Sequence, residues 1–150
     1  MNISAELLDE LVAHALADPG NEVCGVVAVQ DAGTDAEQPA SGEGEGEGRA
    51  RAVRVLRATN IHHSPLKFEI DPKELLGLYL GIEAEGQALG AIYHSHVRSR
   101  PYPSQTDINF AASWPGVEWI IVGLAAGAEP EVRSYLIEDG SVREVPLEVR

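Results

Sequence analysis

The sequence predicts an α/β (α+β) fold, a mixed β-sheet with helices on both faces. Three observations carry that prediction. Apolar residues at helical spacing are interleaved with short, strand-like apolar runs. Pro, Gly and Asp-Gly clusters punctuate the chain between them. The order of helices and strands suits a sheet with helices on its faces. At 150 residues the chain is long enough for one domain with one sizeable core, so residues 1–150 are expected to form a single unit.

The elements follow in order. Ile3, Leu7, Leu8, Leu11, Val12 and Leu16 fall at helical spacing, which predicts a helix over 4–17 with Ser4 as its N-cap. Asp18-Pro19-Gly20-Asn21 stops it, and residues 22–29 read as a buried strand. Residues 31–50 hold six acids and one arginine around a Gly-Glu repeat at 42–48. Such composition buries nothing, so a flexible acidic loop is expected there. Residues 51–58 return as a strand, 59–66 are loop, and Phe68 to Ile70 is extended. Asp71 caps a helix with Pro72 at its first position, running to about Gly86. Ala88–His96 is a strand, Ser104 to about Ser113 a helix, and Val117–Leu124 an apolar strand. Val132–Ile137 and Val142–Val149 form a final pair joined at Asp139-Gly140, a hairpin turn signal.

Composition excludes several classes. The net charge is −13, which disfavours nucleic acid as a partner, since phosphate binding needs clustered Lys and Arg. The one cysteine, Cys24, rules out an internal disulfide and a thiolate-rich structural zinc site. It is expected to be a buried small apolar residue. No apolar run reaches the roughly 18 residues that span a bilayer. The acidic N-terminus lacks the basic start of a secretion signal. A soluble, cytoplasmic protein is expected.

The chemistry concentrates at 94–107. His94 and His96 end a strand, and side chains two apart share a face, so both imidazoles can reach one ion while Ser95 points the other way. Ser104 and Asp107 fit the N-cap and N3 positions of the next helix, which sets the Asp107 carboxylate beside the strand end. Two imidazoles, one carboxylate and a water suit a four-coordinate catalytic zinc. Ser-x-x-Asp alone is usually a helix cap and His-x-His alone is usually incidental. The joint pattern arises by chance in roughly one chain of this length in several thousand. Three such ligands also fit a two-histidine, one-carboxylate iron oxygenase, and that reading stays open on ligands alone.

His94-Ser95-His96, followed after seven residues by Ser104-Gln105-Thr106-Asp107, resembles the signature of the JAMM (MPN+) metalloproteases. Asn21-Glu22-Val23-Cys24-Gly25-Val26-Val27 is similar to the family's early glutamate strand. Phe68-Glu69-Ile70-Asp71-Pro72 and Gly90-Ala91-Ile92-Tyr93 add to the likeness, which covers roughly residues 4–147 and points to the small stand-alone prokaryotic members. Val97 departs from the pattern, standing where many members have proline. The resemblance implies the MPN/JAMM fold, a three-layer arrangement like that of the cytidine deaminases, and one Zn²⁺ per chain held by His94, His96 and Asp107. It implies hydrolysis of a peptide or isopeptide bond with Glu22 as general base and Ser104 at the oxyanion. The implied substrate is the C-terminal tail of a ubiquitin-like or sulfur-carrier protein, and no long insertion of the kind that grips ubiquitin is present.

Arg98 and Arg100 flank the metal loop and are candidates for gripping the substrate. His62 and His63 are expected to be solvated loop residues, and His14 a surface residue. Trp114 and Trp119 are expected in the core or at a subunit interface, so a homodimer is one expectation. A non-catalytic binding scaffold with the same fold is the alternative function; filled ligand positions argue against it.

Overall fold

The structure is a computed structural model, and it describes residues 1–30, 49–125 and 129–150. The elements run β1 (Asn2–Ile3), α1 (Ala5–Ala17), β2 (Cys24–Gln30), β3 (Arg51–Ala58), α2 (Pro72–Ala84), β4 (Ala88–His96), α3 (Gln105–Ala111), β5 (Glu118–Gly123), β6 (Glu131–Glu138), β7 (Ser141–Val145) and β8 (Glu148–Val149). The expected flexible loop falls almost wholly on residues 31–48, outside the described residues.

Among the described residues, the eight strands join one mixed sheet in the order β7-β6-β5-β4-β2-β3-β1-β8. β4 and β5 are parallel, with His94 opposite Ile121 and His96 opposite Gly123. β2 runs antiparallel to both β3 and β4, and Cys24 lies opposite His94. β7 and β8 occupy opposite margins of the sheet, yet only Pro146 and Leu147 separate them in sequence. The sheet therefore curls until its margins approach each other.

Helices cover both faces, as the sequence predicts. Leu11 and Ala15 of α1 pack with Val27, Ala91, Tyr93, Ile120 and Val122 on one face. Leu75 and Ile82 of α2 and Ala111 of α3 pack with Val26, Ile92, Trp119 and Ile121 on the other. Successive residues of β5 thus enter different cores, which is why its sequence is a continuous apolar run rather than an alternating one. Trp119 is fully buried in the core, as expected. Each core leucine or isoleucine truncated to alanine here would cost about 2–5 kcal/mol.

Several expectations are corrected. Ile3 belongs to β1 and pairs with Val149, not to the apolar stripe of α1. Leu16 points outward and is 53% exposed. The strand expected over Val142–Val149 is split, because Pro146 has no N–H to continue a ladder and the chain crosses to the other margin. His14 is not a free surface residue: its Nδ1 lies 2.6 Å from the Tyr93 hydroxyl. Glu22 and Val23 precede β2 rather than lying in it.

Candidate active site

The strand β4 ends at His96, where α3 begins beside it. Ser104 caps α3: its hydroxyl accepts from the Asp107 backbone N–H (3.2 Å), and the Asp107 carboxylate accepts from the Ser104 N–H (2.8 Å). This reciprocal capping box fixes the Asp107 side chain at the first turn. The loop between His96 and Ser104 is pressed onto the end of β5. A Cβ on Gly123 would meet Pro101 at 2.7 Å, so only glycine admits that approach.

Three donor atoms converge at this corner. His94 Nε2 lies 3.0 Å from His96 Nε2 and 3.1 Å from Asp107 Oδ2, and His96 Nε2 lies 3.5 Å from the same oxygen. All three residues are buried. The His96 Nδ1–H donates to the Arg100 carbonyl at 2.9 Å, which leaves the Nε2 lone pair facing the cluster. Phe68 stacks on the His94 ring at 4.3 Å and Trp119 meets its edge.

These spacings test whether a metal fits. Bonds of about 2.0–2.1 Å in a tetrahedral site put neighbouring donors about 3.3 Å apart. The triangle of 3.0, 3.1 and 3.5 Å matches that figure. A second, looser group, Glu22 with His94 and His96, has its ligand atoms within 4.8 Å of one another. Its Glu22 Oε1 stands 3.8 Å from His96 Nε2, too far for a shared tetrahedral edge and close enough to reach a water bound there. The tighter trio is the better fit for direct ligands. Glu22 Oε2 is buried and has no hydrogen-bond partner among the described residues.

Electrostatics divides the two carboxylates. Burial raises the Glu22 pKa to about 7, with Asp107 adding to the rise and His96 opposing it. Burial also pushes Asp107 up, but both imidazoles and the Ser104 N–H outweigh it and hold its carboxyl far below the usual range. Asp107 is thus an ionised donor, and Glu22 can take or give a proton near neutrality. Burial lowers His94, against the pull of Asp107.

A pocket of about 140 Å³ opens beside Asp107, lined by Phe68, Phe110, Thr106, His62, Lys67 and Glu69. A larger hollow of about 510 Å³ lies along β6 and β7, away from the donor cluster, and its Arg133 is already paired with Glu131 and Glu144. The smaller pocket is the one that meets the chemistry.

Among the residues singled out from sequence, His94, His96, Asp107, Glu22 and Ser104 come together here, with Ser104 exposed at the rim. Arg98 and Arg100 do not join them. Both are exposed, and the Arg100 guanidinium lies over the Tyr102 ring at 5.1 Å. His62 pairs with Glu69 at 2.7 Å rather than standing free. Sequence reasoning missed Phe68 as the lid of His94. It also missed Asn60, whose buried amide no periodicity marks.

The chain as a whole is similar to known proteins. A family model described as prokaryotic homologs of the JAB domain matches residues 4–138. The CysO-cysteine peptidase of Mycobacterium tuberculosis is 33% identical over 147 residues, covering 98% of this chain and 89% of that protein. The desampylase of Haloferax volcanii is 34% identical over 128 residues, covering 81% and 78%. Among solved structures, a protein from Desulfitobacterium hafniense superposes with a TM-score of 0.77 at 26% identity, covering 99% and 92%. A JAB1/MPN domain protein from Archaeoglobus fulgidus shares the fold, with a TM-score of 0.57 at 19% identity over 99% and 98% of the two chains.

Proposed function

The chain belongs to the prokaryotic homologs of the JAB domain, and from that premise we propose that it is a zinc-dependent hydrolase. It cleaves a peptide or isopeptide bond at the C-terminal tail of a ubiquitin-like or sulfur-carrier protein. The observation that carries this reading is the convergence of His94, His96 and Asp107 with the Glu22 carboxyl beside them, its Oε1 3.8 Å from His96 Nε2 and its Oε2 without a hydrogen-bond partner among the described residues. The relatives named for cleaving carrier conjugates supply the substrate class.

One Zn²⁺ held by His94, His96 and Asp107 would polarise a carbonyl and make hydroxide available near neutral pH. The chain's own groups do the rest. Glu22, with its pKa raised to about 7 mainly by burial, takes the proton of the attacking water and delivers it to the leaving amine. The Ser104 hydroxyl already accepts from the Asp107 N–H, so its hydrogen is free to donate to the oxyanion that forms at the carbonyl. Phe68 closes one side of His94 and excludes water there. The extended, glycine-ended tail enters along the pocket beside Asp107, and Arg98 and Arg100 meet acidic groups of the carrier.

The reading takes residues 1–150 as one JAMM/MPN domain acting in the cytoplasm. No described helix is long and apolar enough to cross a membrane. The test is metal analysis together with cleavage, by the zinc-loaded chain, of a glycine-ended peptide joined through its carboxyl to a fluorogenic amine. Equimolar zinc and amine release support the hydrolase. Zinc without cleavage of this peptide or of carrier conjugates would favour a binding scaffold, and iron with oxygen uptake an oxygenase.

A further inference from the structure

Glu22 lies one step outside the sheet. β2 begins at Cys24, so no strand ladder holds the Glu22 backbone. Both of its main-chain groups are instead held by the loop between β3 and α2. Its N–H donates to the Ser64 carbonyl at 2.8 Å. Its carbonyl accepts from Asn60 Nδ2 at 3.0 Å.

Asn60 is the centre of that loop. Its amide nitrogen also donates to the Lys67 carbonyl at 3.0 Å, and its amide oxygen accepts from the His62 N–H at 3.1 Å and the Glu69 N–H at 3.2 Å. All four of the side chain's usual bonds are made, and the residue is only 8% exposed. The chain closes around it through Ile61 N–H to the Glu69 carbonyl and a bridge between Asn60 and Ile70. The same loop sets Phe68 on His94 and lines the pocket beside Asp107.

We propose that Asn60 is a positioning residue for Glu22, tying the wall of the substrate pocket to the backbone of the proton-transfer group. The residue type follows from the bonds. Two carbonyls face one end of the side chain and two N–H groups face the other, so it must donate at one end and accept at the other. Aspartate has the shape but sets an oxygen against two carbonyl oxygens. Glutamine is one methylene too long for a cage closed on all sides. On the other flank, the Val23 N–H donates to Ser95 Oγ at 2.9 Å, so the root of Glu22 is held between the sheet through Ser95 and the pocket wall through Asn60. A carboxylate misplaced by about 1 Å costs on the order of 10²-fold in rate.

This inference rests on the hydrolase reading, and its test separates the two. The full zinc-loaded chain is assayed on the fluorogenic glycine-ended peptide as wild type, Asn60→Asp, Asn60→Ala and Glu22→Gln. Asn60→Asp keeps the acceptor for the His62 and Glu69 N–H groups, loses the donors, and sets a charged oxygen against the Glu22 and Lys67 carbonyls. The expected result for it is zinc content equal to wild type, KM within about twofold, and kcat lower by about 10- to 100-fold. Hydrogen exchange at the Glu22 amide should accelerate, a readout that needs no turnover. Unchanged kcat in both Asn60 variants overturns the proposal. So does a rise in KM at constant kcat, which would assign the loop to substrate holding alone, or loss of zinc and fold in both variants. If Glu22→Gln itself turns over normally, the hydrolase reading falls. If Glu22→Gln is dead while the Asn60 variants are fully active, only the positioning role falls.

Discussion

Glu22 Oε1 stands 3.8 Å from His96 Nε2, across a corner that no strand pairing of Glu22 creates. One residue comes from a loop before β2 and the other from the last position of β4. On the proposed reading, their approach sets the general base beside a zinc ligand, and most of the expected behaviour of the chain follows from that separation.

Glu22→Gln keeps the shape and removes the proton transfer. The variant should bind zinc at the wild-type level and lose about 10²- to 10⁴-fold in kcat, the usual span for a general acid–base group. Metal analysis and the fluorogenic assay on the same preparation check both halves; full turnover would remove Glu22 from the chemistry.

His96→Ala removes one of three close donors and the hydrogen bond to the Arg100 carbonyl. Zinc should be lost on dialysis against a mild chelator that leaves the wild type loaded. Retention of equimolar zinc would contradict the ligand assignment.

The contact between Gly123 and Pro101 predicts a remote effect on the metal. Gly123→Ala should cost about 1–3 kcal/mol by overpacking and lift the loop whose Arg100 carbonyl orients His96. Urea unfolding and a zinc competition titration should both shift. Unchanged zinc affinity would show that the loop adapts without disturbing His96.

Stability should also depend on pH through His14. Burial, then the nearby Arg57, lowers its pKa from 6.5 to about 4, against a smaller pull from Asp18. The unfolded chain therefore binds more protons between these values, and stability rises with pH across that window. The contribution is fully present above about pH 6.5 and is lost as pH falls toward 4. Urea midpoints at pH 7.5 and 5 should differ less for His14→Gln than for the wild type. An equal difference would remove His14 from the dependence.

The sequence made some features legible and hid others for physical reasons. His94, His96, Ser104 and Asp107 sit within one short segment, where strand alternation and helix capping are local rules that geometry seldom overrides. Glu22 was legible only through likeness to a family, because nothing local brings it to that corner. β1 and β8 have two residues each, too few to show any period, and Ile3 fits a helical stripe as well as a strand. Asn60 reads as an ordinary loop residue, since its cage is built from main-chain groups drawn from four separate positions. The His14–Tyr93 contact depends on Gly25, where any Cβ would collide with the Tyr93 ring, and such a vacancy has no signature in the pattern of apolar residues.

The crossing at Pro146 and Leu147 has a kinetic consequence. Asn2 pairs with Glu148, so the ladder that closes the curled sheet joins the two ends of the described chain. Of the described strand pairings this one closes the longest loop and carries the largest loop-closure entropy, so it is expected to form late. His94 and His96 lie on β4, which pairs with β2 and β5 and not with β8, while Glu22 directly precedes β2 and Asp107 lies on α3. None of the four residues pairs with β8, so the seam between Asn2 and Glu148 is expected to close as a clasp on a corner already built.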